Sequence, residues 1–333
     1  MYRRAHSHVA LAERHDRAWI VLSGADRRGY LHGLLTNDIQ SLETGAGCYS
    51  AYLTPQGRLI TDLWVYELGD VLLVSLDRSV KDNLLAKLDQ FIFSEDVRLG
   101  DVTKTYAAMA VVGPEAAALL ASTLDIDAAR LESLPEHGNL RAAFAEQPAI
   151  VLCTSDLGIR GFDVLIPMAV ADDFRKALQR RGAAWLDAAT AEAIRIEAGI
   201  PKFHQDMDET TIPLEAGIES RAISMTKGCY VGQEVIVRVL HRGHGRVAKK
   251  LAGLVISGDA SIARGASIDI AGTSVGTVTS VTWSPRRQAL IALGYVRRDC
   301  LAPGTALAVA GHDATVVALP FAADVPPDVS LSH

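Results

Sequence analysis

An α+β body followed by an all-β end is the fold class this sequence predicts, and three observations predict it. Between residues 18 and 200, strand-like runs alternate with runs of helical period. From residue 234 onward, short β-rich runs recur with Gly, Pro or Asp between them and no helical period intrudes. At 333 residues, 49% hydrophobic and 22% charged, the chain has room for two or three domains, each with its own core.

The elements follow in order. Residues 18–22 read as a strand, and Ser23-Gly24-Ala25-Asp26 as a turn with a helix cap. Tyr30, Leu31, Leu34 and Leu35 then repeat at helical spacing. Residues 48–53 and 58–67 form a hairpin across Thr54-Pro55-Gln56-Gly57, and Gly69-Asp70 turns the chain into a third strand at 71–76. These three strands predict an antiparallel meander. Leu84, Leu85, Leu88, Phe91 and Ile92 share one face of a helix expected over 79–93. Residues 106–112 read as a buried strand, and Gly113-Pro114 opens a helix. Strands follow at 140–144, 149–153 and 162–166. A helix from Asp172-Asp173 to Arg180-Arg181 has charges that match its dipole. The next helix, 190–198, stops at Gly199 with Pro201 beyond.

Seven strands are expected in the last part, at 234–240, 248–256, 267–270, 275–281, 289–295, 306–309 and 314–319. So many short strands in so few residues predict a small barrel or sandwich. The tail from Pro320, with Pro326-Pro327, reads as disordered.

Composition excludes several function classes. A formal net charge of -6 leaves no basic field for holding nucleic acid. No apolar run approaches the length of a membrane helix, and the first 17 residues lack a signal-peptide core. Four separated cysteines with no CxxC pair argue against structural zinc and suit a reducing cytoplasm, so no metal ligand set is assigned. Phosphate-cradling glycine loops and GxSxG are also absent.

The chemistry concentrates at 226–234, Thr-Lys-Gly-Cys-Tyr-Val-Gly-Gln-Glu. Cys229 is either a small buried hydrophobe or an accessible thiol. Lys227, two residues away, would favour its thiolate, and Gly228 and Gly232 would turn the backbone sharply and expose the sulfur. Tyr230, Gln233 and Glu234 complete the run, with Arg238 downstream. Cys48, Cys153 and Cys300 sit in or beside apolar runs and read as core. Arg195-Ile196-Glu197-Ala198-Gly199-Ile200-Pro201 sets Arg195 and Glu197 on different faces, one structural and the other free to meet a ligand. The acids at 206–215 read as a solvated loop. Asp62, inside an apolar strand, either faces water or is paired in a pocket with a perturbed pKa.

The run Lys227 to Glu234, with Arg238 and Arg242-Gly243, resembles YgfZ-type proteins. These are folate-binding relatives of the glycine-cleavage T protein that support iron–sulfur cluster assembly or repair. Leu34 to Asp38, Leu53 to Arg58, Arg195 to Pro201 and Thr211 to Gly217 are similar to the wider aminomethyltransferase superfamily. The resemblance covers nearly the whole chain. It implies a three-domain ring of two α+β, ferredoxin-like domains and a small C-terminal barrel around a folate channel. On that basis residues 1–243 form a folate-binding region of two interleaved subdomains, and 244–325 the barrel. Tetrahydrofolate or a one-carbon derivative is the implied cofactor, with Arg195, Asp163 and Glu197 on it. Cys229, Lys227 and Asp62 carry the implied chemistry. The partners implied are iron–sulfur enzymes or cluster-assembly proteins, with no nucleic acid and no membrane. The aminomethyltransferases have paired aspartates where this chain has Thr61-Asp62, an asparagine near Ser75, and an acid-rich turn where Gly158-Ile159-Arg160-Gly161 stands. A tetrahydrofolate-dependent aminomethyltransferase or demethylase is the alternative function, and a scaffold with vestigial folate a third.

Overall fold

Three sheets carry the fold of the computed structural model, which describes residues 1–241, 245–258 and 261–321. The first strand, β1 (Ala10–Glu13), belongs to a six-stranded sheet whose other members come much later. The chain then crosses to a five-stranded sheet built from β2 (Arg17–Ser23), β3 (Gly47–Leu53), β4 (Leu59–Glu67), β5 (Leu72–Asp77) and β6 (Arg98–Asp101). Its order is β3-β4-β5-β2-β6, and β3, β4 and β5 are the antiparallel meander expected from the sequence. Strands β7 (Tyr106–Val112), β8 (Asn139–Phe144), β9 (Gln147–Thr154), β10 (Gly161–Pro167) and β11 (Ala184–Trp185) return to the first sheet in the order β11-β1-β7-β10-β9-β8. Residues 14–16 are therefore the crossing between two sheets.

A closed barrel follows: β12 (Lys249–Ile256), β13 (Ser267–Ile270), β14 (Thr273–Ser284), β15 (Ala289–Arg297), β16 (Ala306–Val309) and β17 (His312–Val317). Closure removes the exposed edges that an open sheet would present. Among the described residues, no helix is long and apolar enough to cross a membrane.

Packing fixes the relation of the sheets. Trp19, Tyr66 and Leu73 of the five-stranded sheet bury against Leu152 and Leu165 of the six-stranded one. Helix Ala188–Glu197 lays Ile196 against Leu251, Ile291 and Leu293 of the barrel. Each fully buried side chain of this size contributes roughly 1.5–3 kcal/mol of transfer free energy, so these contacts hold three rigid walls around one interior.

Several expectations are corrected. Residues 234–240 are not a strand but part of helix Gln233–His241. Val235, Ile236, Val239 and Leu240 fall on one helical face, and Ile236 is fully buried in the core of the five-stranded sheet. The β-branched composition had outweighed that period, and tertiary packing reverses the preference. The helix expected over 79–93 is shorter, Lys81–Asp89 after a single 3₁₀ turn, and leaves Phe91 and Phe93 exposed. Strands β1, β6 and β11 carry too short a pattern to be read beforehand. Phe321 is buried against the barrel, so Pro320-Phe321 are ordered, whereas 322–333 lie outside the described residues. The expected boundary at 243/244 and Arg242-Gly243 also lie outside them.

Candidate functional site

Two cavities open between the sheets and share part of their walls. The larger, of about 1110 Å3, takes Tyr49 and Trp64 from the five-stranded sheet, Asp156 from beside the six-stranded sheet, and Lys250 and Leu251 from the barrel. The smaller, of about 430 Å3, takes Arg14, Arg17, Asp62, Asp156 and Arg195. Trp64, Asp156, Ile200 and Pro201 line both. All three sheets thus contribute to one interior of ligand size.

Asp62 stands on β4 opposite Ala51 of β3 and is buried. Of the two readings left open by the sequence, the pocket holds. Tyr49 donates its phenolic hydrogen to Asp62 Oδ2 at 2.7 Å. Burial raises the Asp62 carboxyl above its ordinary range, against the hydrogen bond from Tyr49 and the nearby Arg17 charge. The Tyr49 phenol is pushed up strongly as well, by burial and then by the Asp62 carboxylate. Around this pair, Trp64 lies 4.8 Å from the Tyr49 ring, and the Arg17 guanidinium sits 4.2 Å from the Trp64 ring centre. Ser75 accepts from Arg17 Nε and Nη2 at 3.1 and 2.9 Å, which fixes the cation in place. A carboxyl that burial holds above its ordinary range, beside an aromatic wall, suits general acid–base work.

Arg14 is the other organising cation. It donates to Asp156 at 3.0 and 2.8 Å, to Asp163 at 3.1 and 3.0 Å, and to Asp16 at 3.3 Å. Burial pushes the Asp163 carboxyl up to about 6, partly offset by Arg14. Asp156 moves the other way: the Arg14 charge overcomes its burial and lowers it. The pair therefore shares one guanidinium unequally.

The three residues expected on the cofactor are all engaged internally. Arg195 pairs with Glu192 at 2.6 Å and Asp206 at 2.8 Å, and also donates to the Ile200 carbonyl and to Ser280 at 2.9 Å. Glu197 accepts from the hydroxyls of Tyr2 and Ser284. Arg195 lines the smaller cavity and Glu197 the larger, while Asp163 lines neither.

The cysteine loop lies apart from these cavities. Cys229 is exposed and lines neither of them. Lys227 does not serve the thiol as expected, because its ammonium turns inward. It donates to the carbonyls of His32 and Leu35 at 2.5 Å each and of Asn37 at 3.1 Å, close to where helix Arg27–Leu34 ends. Burial lowers it to about 8. The Tyr230 ring, 5.2 Å from that ammonium, is buried in the core. Gly232 has φ +83 and needs to be glycine; Gly228 has open space around it and does not. Gln233 donates to the Gly228 carbonyl at 3.5 Å, and Glu234 and Arg238 are exposed on the helix. Cys153 and Cys300 are buried as expected; Cys48 is half-buried, and burial pushes its thiol up to about 12.

Sequence reading missed Arg14, Arg17, Tyr49, Trp64 and Asp156. The run Arg14-His15-Asp16-Arg17 carries charge but no spacing that marks a site, because its partners are brought in from other strands.

Comparison with known proteins agrees with this architecture. Residues 2–227 match the family model described as the GCVT N-terminal domain, and 249–322 that of the glycine cleavage T-protein C-terminal barrel domain. The chain is 31% identical over 277 residues to an aminomethyltransferase of Rubrobacter xylanophilus, covering 83% of this chain and 73% of that one. A putative chloroplastic transferase of Arabidopsis thaliana is 28% identical over 88% of this chain and 66% of its own. The crystal structure of the glycine cleavage system aminomethyltransferase T from Bartonella henselae superposes with a TM-score of 0.87 at 21% identity, covering 96% of this chain and 88% of that one, which establishes a shared fold. With both of its regions matched and its sheets laid out as in that enzyme, the chain belongs to the glycine cleavage T-protein family.

Proposed function

We propose that this chain binds tetrahydrofolate in the joined cavities and serves folate-dependent one-carbon transfer of the aminomethyltransferase or demethylase type. The observation that carries the reading is Asp62, a buried carboxyl on the cavity wall that burial raises above its ordinary range and whose Oδ2 accepts from Tyr49. The residues present fit the cofactor. Tyr49 and Trp64 offer an aromatic wall to a planar ring, and the larger cavity, of about 1110 Å3, is of ligand size. Bound tetrahydrofolate supplies the nitrogens that carry the one-carbon unit. Asp62 accepts or returns a proton at its carboxyl, and Tyr49 orients it. Asp62→Asn keeps the shape and removes the titrating group. It should abolish folate-dependent release of a one-carbon unit from an aminomethyl-lipoyl carrier or an N-methylated amine. Unchanged turnover in that variant, or no turnover by the unaltered chain on either donor class, would overturn the transfer reading.

One observation favours a second reading, a YgfZ-type accessory protein that binds tetrahydrofolate and supports assembly or repair of iron–sulfur clusters in client enzymes of the cytoplasm. The Lys227 to Glu234 run holds an exposed thiol, Cys229, between Lys227 and Tyr230, which pin its loop from below. An ordered thiol facing outward suits a partner protein better than a ligand in the cavities. Cys229→Ser, with an unchanged fold, should fail to restore iron–sulfur enzyme activity in a strain lacking this protein. Full restoration would remove the thiol from the account.

A further inference from the structure

Three arginines line the smaller cavity, Arg14, Arg17 and Arg195, and all three are buried. Two of them are saturated by acids of the chain itself. Arg14 has Asp16, Asp156 and Asp163, and Arg195 has Glu192 and Asp206. Arg17 is different: among the described residues it forms no salt bridge. Its Nε and Nη2 both donate to Ser75 Oγ on the neighbouring strand β5, and its guanidinium lies over the Trp64 ring. These contacts fix the side chain but use only one edge of the group. The other edge, with an N–H on each terminal nitrogen, matches the two oxygens of a carboxylate. Among the described residues Nη1 donates to nothing, yet it is not one of the sealed, unpartnered nitrogens, so open space reaches it. A guanidinium only 8% exposed has lost most of its hydration, and an anionic ligand would offset that loss.

The same walls limit what the anion can be. Asp16, Asp77 and Asp156 line the cavity with Arg17, and the charges of Arg14 and Arg17 lower Asp16 to about 2 against its burial. A dianion would meet these acids at close range, whereas a single carboxylate that carries its own ammonium suits both signs. About 430 Å3 is room for a small molecule. Trp64 and Asp156 also line the larger cavity, so a ligand on Arg17 sits beside whatever the larger cavity holds.

We propose that Arg17 binds the carboxylate of a small amino-acid-like amine, and that the smaller cavity is the amine site beside the folate. The inference rests on the folate reading and names the class of amine: one that carries its own carboxylate. A lipoyl arm, joined to its carrier as an amide, has none to offer.

Saturation-transfer NMR of the full chain reads weak binding of this kind. N,N-dimethylglycine should bind the unaltered chain. N,N-dimethylethanolamine, with a hydroxyl in place of the carboxylate, should bind roughly tenfold more weakly or worse, as the loss of a charged hydrogen-bonded pair implies. Arg17→Gln should erase that preference. Equal affinity of the two amines in the unaltered chain, or an unchanged preference in Arg17→Gln, overturns the inference and leaves folate binding standing. Should Arg17→Gln fold poorly, the unaltered protein with 15N-labelled arginine gives a second readout. The Arg17 Nε–H signal, identified by its absence in Arg17→Lys, should shift with N,N-dimethylglycine and not with N,N-dimethylethanolamine; a signal that neither amine moves overturns the inference as well. Saturating 5-formyltetrahydrofolate should leave N,N-dimethylglycine bound. Its displacement would give the carboxylate site to the folate's own glutamate and overturn the amine site. No binding of 5-formyltetrahydrofolate by the unaltered chain removes the folate reading, and the amine site beside it falls too.

Discussion

The two glycines of the cysteine loop look equivalent in sequence, yet they should respond to alanine in opposite ways. A Cβ at Gly232 would lie 2.5 Å from the Thr54 carbonyl oxygen and 3.1 Å from Leu53 Cβ, on backbone with φ +83. That oxygen is not free to retreat, since it accepts the Gly57 N–H at 2.8 Å within the β3–β4 turn. Left-handed backbone costs alanine about 1–2 kcal/mol, and the disturbed hydrogen bond about 1 kcal/mol more. Gly232→Ala should therefore cost about 2–3 kcal/mol, felt where helix Gln233–His241 rests on the turn. Gly228 has nothing within 4 Å of its missing Cβ and φ outside the left-handed region. Gly228→Ala should be neutral or stabilising by up to about 1 kcal/mol, because the unfolded chain loses freedom. A gap of about 3 kcal/mol is roughly a hundredfold in local opening. Hydrogen exchange at the amides of 233–241 reads it directly and avoids assuming a single global transition. Equal protection in the two variants would refute the argument that the turn, and not the loop's general pliancy, requires the glycine.

Further outcomes follow from the charges. Asp163 is raised from 3.8 to about 6, so the folded chain holds its proton more tightly than the unfolded one, and its contribution to stability is lost as pH rises through that window. Two pH units at about 1.4 kcal/mol each set an upper limit of about 3 kcal/mol. Asp156 is lowered and acts with the opposite sign. Urea unfolding across pH 4–6 should thus show stability rising with pH more steeply in Asp163→Asn than in the unaltered chain; a matching slope would contradict a raised Asp163 carboxyl. Lys227→Met should cost about 1.5–3 kcal/mol by leaving three carbonyls without their cation, and should speed alkylation of Cys229 by loosening the loop. If Lys227 acted on the thiol itself, alkylation would slow instead.

Much of the fold was legible because its signals are local. Alternation and turn residues mark β3, β4 and β5, and six of the seven expected C-terminal strands close the barrel. The seventh failed for a physical reason. Val235, Ile236, Val237 and Val239 favour a strand by composition, but the face that Val235, Ile236 and Val239 share with Leu240 exists only as a helix on the β3–β4 turn. The motif around Cys229 was visible, and so was Asp62 as an odd acid in an apolar strand. Lys227 was misread because two-residue proximity in sequence says nothing about which carbonyls lie within reach of a long side chain.

By itself, then, the sequence determined the α+β body, the barrel, the family and the position of an unusual thiol, each through contacts among residues near one another in the chain. Only the tertiary structure decided which charges meet. Arg14 reaches Asp156 and Asp163 across some 140 residues because β1 crosses into the other sheet, and Arg195 reaches Asp206 and Ser280 because a helix lies on the barrel. Burial then raised the Asp62 carboxyl above its ordinary range and left Asp163 outside the lining of both cavities. Desolvation and long-range pairing depend on the whole surrounding volume, and no window of sequence contains that volume.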